Sequence, residues 1–220
     1  MPVKKRTING LYLISDTAFS GGRSHGEVVL QGLRGGARVI QLRDKDLTVR
    51  ELYPVALIMR ELARKAGAVF IINDLVELAM AVDADGVHLG QDDMPVSVAR
   101  RLLGEDRIIG ISTHSLDDAL AAESAGADYI GFGPMFPTGT KDSGIPKGPE
   151  GLRALREKIK VPIAAIGGIN AGNARSVIEA GADALAVISA VTMADDIEKA
   201  AREIAVLFGG SVAPVKTGVQ

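Results

Sequence analysis

The sequence predicts an α/β fold, a single (β/α)8 TIM barrel. Eight short apolar runs recur along the chain, each followed by turn residues and then by a stretch with helical spacing. This alternation is typical of βαβ units built on a parallel sheet. Eight consecutive units in 220 residues favour a closed barrel. An open doubly wound sheet is the alternative, but its Gly-x-Gly-x-x-Gly fingerprint is missing after the first run.

The eight runs are short, as expected of strands in a parallel sheet. We predict strands at Leu11–Ser15, Val39–Arg43, Val69–Asn73, Gly86–Leu89, Ile108–Ser112, Tyr129–Gly133, Pro162–Ile166 and Ala184–Ile188. The stretches between them carry apolar residues three and four apart, the pattern of amphipathic helices. Predicted helices include Thr48–Ala66, Pro95–Leu103, Ser115–Ala125 and Asn173–Ala180.

The turns between helices and strands repeat along the chain. Ala125–Asp128 and Ala180–Asp183 have the same sequence, Ala-Gly-Ala-Asp. Glycine is favoured where a helix ends in a left-handed cap, so each repeat is interpreted as the turn into the next strand. A final helix is predicted to end at Phe208. We therefore assign residues 1–208 to one barrel domain and residues 209–220 to a flexible tail.

Composition limits the classes of protein to be considered. Hydrophobic residues make up 47% of the chain and charged residues 24%, as in globular proteins. The net charge is −2 and the basic residues are scattered, so nucleic acid and anionic membranes are not expected partners. The absence of cysteine excludes disulfides, zinc–thiolate sites and cysteine nucleophiles. Without a recognisable secretion signal or membrane span, we expect a cytoplasmic protein.

Polar residues concentrate where the predicted strands end. In barrels of this kind the loops after the strands build the active site. We therefore expect one site formed by Gln41–Lys45, Asn73–Asp74, His88–Asp93, Ser112–His114, Phe136–Lys141, Gly167–Gly168 and Ser189.

Three cations follow these strands. Arg43, Lys45 and Lys141 would repel one another at one mouth unless an anion lies between them. A guanidinium fork and ammonium groups suit phosphate, so the pattern predicts a phosphorylated ligand. The alternative is that each is an ordinary solvated side chain.

Two carboxylates follow neighbouring strands. Asp74 and Asp93 could together hold a divalent ion that keeps several waters and binds substrate phosphate, as Mg²⁺ usually does. Each could instead be the N-cap of the following helix, a position that aspartate favours. Asp92 is the rival of Asp93 as a ligand.

Small polar residues and glycines suggest the remaining contacts. The segment Thr138–Lys141 reads Thr-Gly-Thr-Lys where a P-loop would have Gly-Lys-Ser/Thr, so it is not a P-loop and is interpreted as a substrate clamp or a plain surface turn. Gly167–Gly168 and Ser189 follow strands seven and eight, where barrels frequently bind phosphate, although paired glycines also form tight turns.

The three histidines offer no metal-binding pair. His88 lies inside a strand and is interpreted as a satisfied interior residue, whereas His25 and His114 are loop candidates for acid–base chemistry. No Gly-x-Ser-x-Gly elbow supports a serine hydrolase.

Seven motifs together resemble the thiamine phosphate synthase family from about Leu11 to Ala200. They are Leu11–Asp16, Gln41–Lys45, Ile72–Asp74, Gly86–Asp93, Gly133–Lys141, Ala165–Ile169 and Val187–Ala190. The resemblance implies a barrel enzyme that joins hydroxymethylpyrimidine diphosphate to thiazole phosphate with Mg²⁺, releasing pyrophosphate by a dissociative transfer. One departure is Lys147, where an uncharged residue is expected.

The resemblance also implies residue roles. The pyrimidine diphosphate site would comprise Gln41, Leu42, Arg43, Asp44, Lys45, Asn73, Ser112 and Lys141, of which Arg43, Lys45, Lys141 and Ser112 would act in catalysis. The metal ligands would be Asp74 and Asp93. The thiazole phosphate site would comprise Thr138, Gly139, Thr140, Gly168, Ile188 and Ser189.

Two other functions remain open at this stage. One is a thiazole tautomerase of the same fold, which consumes no diphosphate. The other is a non-catalytic barrel that binds thiamine precursors. The charged residues disfavour both, although fold analogy alone does not decide. A homodimer is compatible with the sequence, which does not fix the oligomeric state.

Overall fold

A computed structural model of the protein describes residues 7–139 and 144–209. Eight parallel strands pair in chain order, and β8 pairs with β1 to close the barrel. The (β/α)8 fold expected from the sequence is therefore confirmed. The strands are β1 Gly10–Ser15, β2 Val39–Leu42, β3 Val69–Asn73, β4 Gly86–Leu89, β5 Ile108–Thr113, β6 Tyr129–Phe132, β7 Ile163–Ile166 and β8 Ala184–Val187.

Helices follow the strands around the outside of the barrel. They are α1 His25–Arg34, α2 Val49–Ala66, α3 Val76–Ala81, α4 Val96–Leu103, α5 Leu116–Ser124, α6 Gly148–Arg156, α7 Ala174–Glu179, α8 Ser189–Thr192 and α9 Ile197–Ala205, with short 3₁₀ turns at Thr17–Phe19 and Val206–Phe208. The start of α2 shows how the sequence sets a boundary. Thr48 and Glu51 form a reciprocal capping box, so Thr48 precedes the helix that was predicted to begin there.

Alternation along each strand divides the core into two parts. Tyr12, Ile14 and Val39 belong to the cluster inside the barrel. Their neighbours Leu13 and Ile40 belong to the larger cluster between the strands and the helices. Successive side chains of a strand point to opposite faces, so both faces of this sheet pack against other parts of the protein.

The repeated Ala-Gly-Ala-Asp turns have a structural purpose at the end of the barrel where the strands begin. The Asp128 carboxylate accepts hydrogen bonds from the Ile109 amide at 2.8 Å and from Arg100 at 2.5 Å. Asp183 accepts in the same way from the Ile163 amide at 2.8 Å and from Arg156 at 3.0 Å. Each aspartate thus ties the start of one strand to an arginine of the helix layer.

No helix within the described residues is both long and apolar enough to cross a membrane. The barrel elements extend from Gly10 to Phe208. The predicted tail lies, apart from Gly209, outside the described residues, so the boundary at 208 stays a prediction.

Candidate active site

A cavity of about 160 Å³ opens among the carboxyl ends of the strands. Each of the eight strands contributes at least one residue to its wall, as the fold predicts for a barrel active site. Its lining includes Tyr12, Gln41, Arg43, Asn73, His88, Ser112, His114, Tyr129, Thr138, Gly168, Ile188 and Ser189.

A chain of hydrogen bonds crosses the floor of this cavity. The Gln41 side-chain amide donates to the Tyr12 hydroxyl at 2.7 Å, and the Tyr12 hydroxyl lies 2.9 Å from that of Tyr129. The Tyr129 hydroxyl lies 2.9 Å from Nδ1 of His88, whose Nε2 lies 2.9 Å from Oγ of Ser112. Five residues of five strands are thereby held in one connected network.

A missing side chain makes room for the central ring of this network. A Cβ atom at Gly110 would lie 2.1 Å from Cζ of Tyr129. Only glycine therefore fits at this position of β5. Burial raises the pKa of Tyr129 and of Tyr12 well above their ordinary range, so both phenols stay protonated and can donate hydrogen bonds.

The guanidinium of Arg43 is positioned by a buried carboxylate. Its Nη1 donates to Oδ2 of Asp16, which is 2% exposed. The other carboxylate oxygen of Asp16 accepts from the Ala18 amide at 3.0 Å and so caps the 3₁₀ turn after β1. Arg43 lines the cavity while tethered at one nitrogen, which leaves its other donors for an anion.

Asp44 and Leu42 have side chains that lie away from the cavity. The Asp44 carboxylate accepts hydrogen bonds from Thr17 and from two backbone amides, and lies 3.2 Å from Nε2 of His25. Burial raises the pKa of Asp44, but these hydrogen bonds hold it below its ordinary value. Leu42 packs in the core between strands and helices. Any contact of either residue with a substrate would therefore use its backbone.

One of the three histidines, His25, differs from its predicted placement. His25 begins α1 and is buried rather than lying in a loop; its Nδ1 lies 2.7 Å from the Ser15 hydroxyl. Burial lowers the pKa of His25, although Asp44 opposes the shift. His114 does line the cavity, and its Nδ1 lies 3.0 Å from the Gly133 carbonyl oxygen. The interior position of His88 agrees with its strand assignment.

The two carboxylates predicted to bind metal influence each other electrostatically. Asp93 is near enough to Asp74 to shift the pKa of that carboxyl, and Nζ of Lys45 lies 2.5 Å from Oδ2 of Asp74. Burial raises the pKa of Asp74; Lys45 lowers it and Asp93 raises it further. Neither aspartate caps a helix, because Leu75 and Pro95 occupy the N-cap positions of α3 and α4. The capping alternatives were therefore wrong.

The Asp74 and Asp93 carboxylates suit one divalent cation. Neighbouring carboxylates repel each other once both are ionised, and a cation held by both removes that repulsion. Within residues 7–139 and 144–209, no group of three or more histidine, aspartate or glutamate side chains could hold a metal. A pair of carboxylates is the donor set expected of a Mg²⁺ ion that keeps its waters and binds substrate phosphate.

The opposite part of the cavity is formed after β7 and β8. Gly168, Ile188, Ser189 and Thr138 line it together. Gly168 has a φ of +66°, and a Cβ atom there would lie 2.7 Å from the Pro137 carbonyl oxygen. Gly139 is described but does not line the cavity. Thr140 and Lys141, which were predicted to bind substrate, lie outside the described residues.

Sequence reasoning missed three residues of the site. Tyr12 and Tyr129 look like ordinary strand residues, and Asp16 like a turn residue. The available signal was the alternation within β1: Tyr12 and Ile14 share a face, and a phenol buried on either face of the sheet needs a polar partner.

A (β/α)8 barrel whose cavity has a polar floor and a tethered arginine, with a carboxylate pair after β3 and β4, is typical of an enzyme for small phosphorylated substrates. A family model for thiamine monophosphate synthase matches residues 11–191. The chain belongs to this family, and the transferase function predicted from the sequence is thereby confirmed.

Three relatives illustrate the match. Thiamine-phosphate synthases of Chloroflexus aurantiacus and Moorella thermoacetica are each 52% identical, over 90% and 88% of this chain and 91% and 93% of theirs. The solved structure of a thiamine phosphate pyrophosphorylase from Pyrococcus furiosus superposes with a TM-score of 0.85 and 45% identity, covering 91% of this chain and 95% of that one.

Proposed function

We propose that this chain joins hydroxymethylpyrimidine diphosphate to thiazole phosphate and releases thiamine phosphate and pyrophosphate. The observation that carries the proposal is a single cavity whose lining includes residues of, or just after, β2, β3 and β5 as well as residues just after β7 and β8. Gln41, Arg43, Asn73 and Ser112 would form one end, and Gly168, Ile188 and Ser189 the other. Two phosphorylated substrates could occupy these ends and meet between them.

The proposed reaction depends on stabilising the leaving diphosphate and requires no nucleophilic side chain. In the dissociative transfer, the bond between the pyrimidine methylene carbon and the diphosphate oxygen breaks, and its electron pair leaves with the oxygen. The lone pair of the thiazole nitrogen then forms the new carbon–nitrogen bond. Arg43, Lys45 and Lys141 would stabilise the charge that develops on the diphosphate, which favours the transition state over the ground state.

The carboxylate pair fits the family's metal. Asp74 and Asp93 would hold Mg²⁺ beside Lys45, whose ammonium group contacts Asp74. Bound there, Mg²⁺ would supply positive charge to the diphosphate oxygens. Asn73 precedes Asp74 and lines the cavity. It would contact the pyrimidine diphosphate beside the metal ligands.

The second end of the cavity suits a monophosphate. The backbone after β7 lines the cavity at Gly168, where no side chain would separate it from a ligand, and Ser189 follows β8. Backbone amides and a hydroxyl bind phosphate without adding charge. Thr138 and, in the segment outside the described residues, Thr140 would complete this end.

A direct assay tests the proposal. Purified protein is mixed with both phosphorylated precursors and Mg²⁺, and thiamine phosphate and pyrophosphate are measured. Equal amounts of both products support it. Isomerisation of a thiazole phosphate without pyrophosphate release would favour the tautomerase alternative, and binding without turnover the non-catalytic one. The cytoplasmic location and the homodimer stay predictions, and sedimentation tests the latter.

A further inference from the structure

We infer that His88 is a positioning residue that carries its proton on Nε2 and thereby directs the hydroxyl hydrogen of Ser112 into the cavity. The location of the His88 proton is inferred from hydrogen-bond geometry alone. The catalytic role of the Ser112 hydrogen rests on the proposed function, in which Ser112 touches the pyrimidine diphosphate.

The direction of the hydrogen bonds in the network is set at the side-chain nitrogen of Gln41, because an amide nitrogen can only donate. The Gln41 amide nitrogen donates to the Tyr12 oxygen at 2.7 Å. The other polar partner of the Tyr12 hydroxyl is Tyr129, at 2.9 Å. Tyr12 is buried, so its hydrogen needs an acceptor, and the Tyr129 oxygen is that acceptor.

The same reasoning carries the polarity across the barrel. Tyr129 accepts from Tyr12, so its own hydrogen goes to Nδ1 of His88 at 2.9 Å. A ring nitrogen that accepts carries no proton, and the neutral imidazole therefore has its proton on Nε2. Nε2 then donates to Oγ of Ser112 at 2.9 Å. Ser112 has accepted this bond, so its hydroxyl hydrogen is left for a group in the cavity.

The reverse polarity conflicts with burial. If Ser112 donated to His88, Nδ1 would carry the proton and donate to Tyr129, and Tyr129 would donate to Tyr12. Tyr12 would then receive hydrogen bonds from both Gln41 and Tyr129, and its own buried hydrogen would have neither of them as an acceptor. The first polarity satisfies each hydrogen of the two phenols.

The residues around His88 restrict the position of its ring. A Cβ atom at Gly131 would lie 3.0 Å from Cε1 of His88, so glycine on β6 gives the imidazole its place. The ring also lies 5.4 Å from the Tyr129 ring, centre to centre. Packing of this kind fixes both ring nitrogens relative to their partners.

A double-mutant cycle tests the inference on activity. We expect Ser112→Ala to lower kcat for pyrophosphate release about 100-fold, the lower end of the effect of losing one preorganised donor. His88→Leu should lower it about tenfold, the size of one hydrogen bond. The double variant should be no slower than Ser112→Ala, because His88 acts through Ser112. Losses that multiply would overturn the inference.

A conservative variant separates positioning from space filling. The amide nitrogen of His88→Gln can donate to Ser112 while its oxygen accepts from Tyr129. We expect it to keep kcat within about threefold of the parent, since the donor is retained. Circular dichroism melts of both variants identify a folding defect. Equal activity of the Gln and Leu variants would show that polarity at this position does not matter.

A measurement on the free protein stands apart from activity. Nitrogen-15 NMR of labelled histidine distinguishes the two tautomers, and the His88→Gln spectrum assigns the signal among the three histidines. We expect a protonated Nε2 and a bare Nδ1 in the parent protein, and a gain of the other tautomer in Tyr129→Phe. A proton on Nδ1 in the parent would overturn the inference even in a fully active enzyme. Absence of thiamine phosphate from the parent reaction would instead overturn the proposed function.

Discussion

At the scale of single residues, the site depends on pairs that hold each other in place. Asp16 tethers Arg43, and Lys45 contacts Asp74. In each pair, some hydrogen-bond donors or acceptors of the charged groups are left for a ligand. Such unused capacity is what a phosphorylated ligand and its metal can occupy.

The carboxylate pair gives the first prediction. Asp74→Asn and Asp93→Asn should each raise the Mg²⁺ concentration needed for half-maximal turnover by at least about tenfold, because an amide is a poorer ligand than a carboxylate. The measurement is a Mg²⁺ titration of initial rates. Asp92→Asn is the matched control, since Asp93 and not Asp92 is the aspartate that interacts with Asp74, and it should titrate like the parent. A shift in the control equal to that of Asp93→Asn would reassign the ligand to Asp92.

The buried imidazole of His25 gives the second prediction, on stability. Burial places its pKa below the ordinary value of 6.5, despite the nearby carboxylates of Asp44 and Asp16. As pH falls through 6.5, the unfolded chain binds a proton before the folded chain does, so stability falls. We expect Tm to decrease with acidification over this range, and to decrease less in His25→Gln. Identical pH slopes for both proteins would contradict the assignment.

At the scale of elements, the loops after the strands decide which substrate end is affected by a change. The segment after β7 approaches the segment after β6 at Gly168, where a Cβ atom would meet Pro137 and Phe136. A side chain there would displace the neighbouring Thr138, which lines the cavity. The effect should therefore be local to the thiazole phosphate end.

Gly168→Ala gives the third prediction. We expect its KM for thiazole phosphate to rise about tenfold or more, with the KM for the pyrimidine diphosphate nearly unchanged, because only one end of the cavity is displaced. Gly67→Ala is the matched control. It places alanine at a similar φ of +69° but meets no atom within 4 Å, so it costs stability without changing either KM. Equal rises for both substrates would contradict a divided cavity.

The loop between β6 and α6 gives the fourth prediction. Lys141 is proposed to reach the diphosphate, so Lys141→Ala should slow pyrophosphate release about 10²- to 10³-fold. Lys147→Ala is the comparison, since Lys147 precedes α6 and its amide donates to the Pro134 carbonyl oxygen. We expect this variant to react nearly as fast as the parent. A similar loss in both would assign the effect to the loop's total charge.

At the scale of the whole molecule, the two ends of the barrel have separate tasks. The end where the strands begin is held by aspartate–arginine pairs such as Asp128–Arg100 and Asp183–Arg156. The end where they finish carries the cavity. Changes at the first end should alter stability and leave chemistry intact.

Asp128→Ala gives the fifth prediction. The change leaves the Ile109 amide and the Arg100 guanidinium without their shared acceptor, so we expect a loss of about 1–3 kcal/mol in the free energy of unfolding. Denaturant titration measures this loss, and kcat should be nearly unchanged. Asp195→Ala, at an exposed position, should change stability by less than about 0.5 kcal/mol. A comparable fall in kcat would show that the two ends are coupled.

The sequence by itself determined the eight strands, their order in a closed barrel and the face on which polar residues gather. It could do so because strand length, helical spacing and turn glycines are local properties. The sequence motifs were also enough to identify the family. Predicted strand ends at Arg43, Gly133 and Ile188 lay one residue beyond the observed ones, because pairing with neighbouring strands sets where a strand ends.

Only the tertiary structure decided what each polar side chain contacts. Asp44 and His25 looked like site residues but bind each other in the interior, whereas Tyr12 and Tyr129 looked like core residues but join the cavity floor. The physical reason is that these partners lie far apart in sequence, as Tyr12 and Tyr129 do by 117 positions. A side chain's direction is set by its strand, but its partner is set by which strand closes the barrel opposite to it.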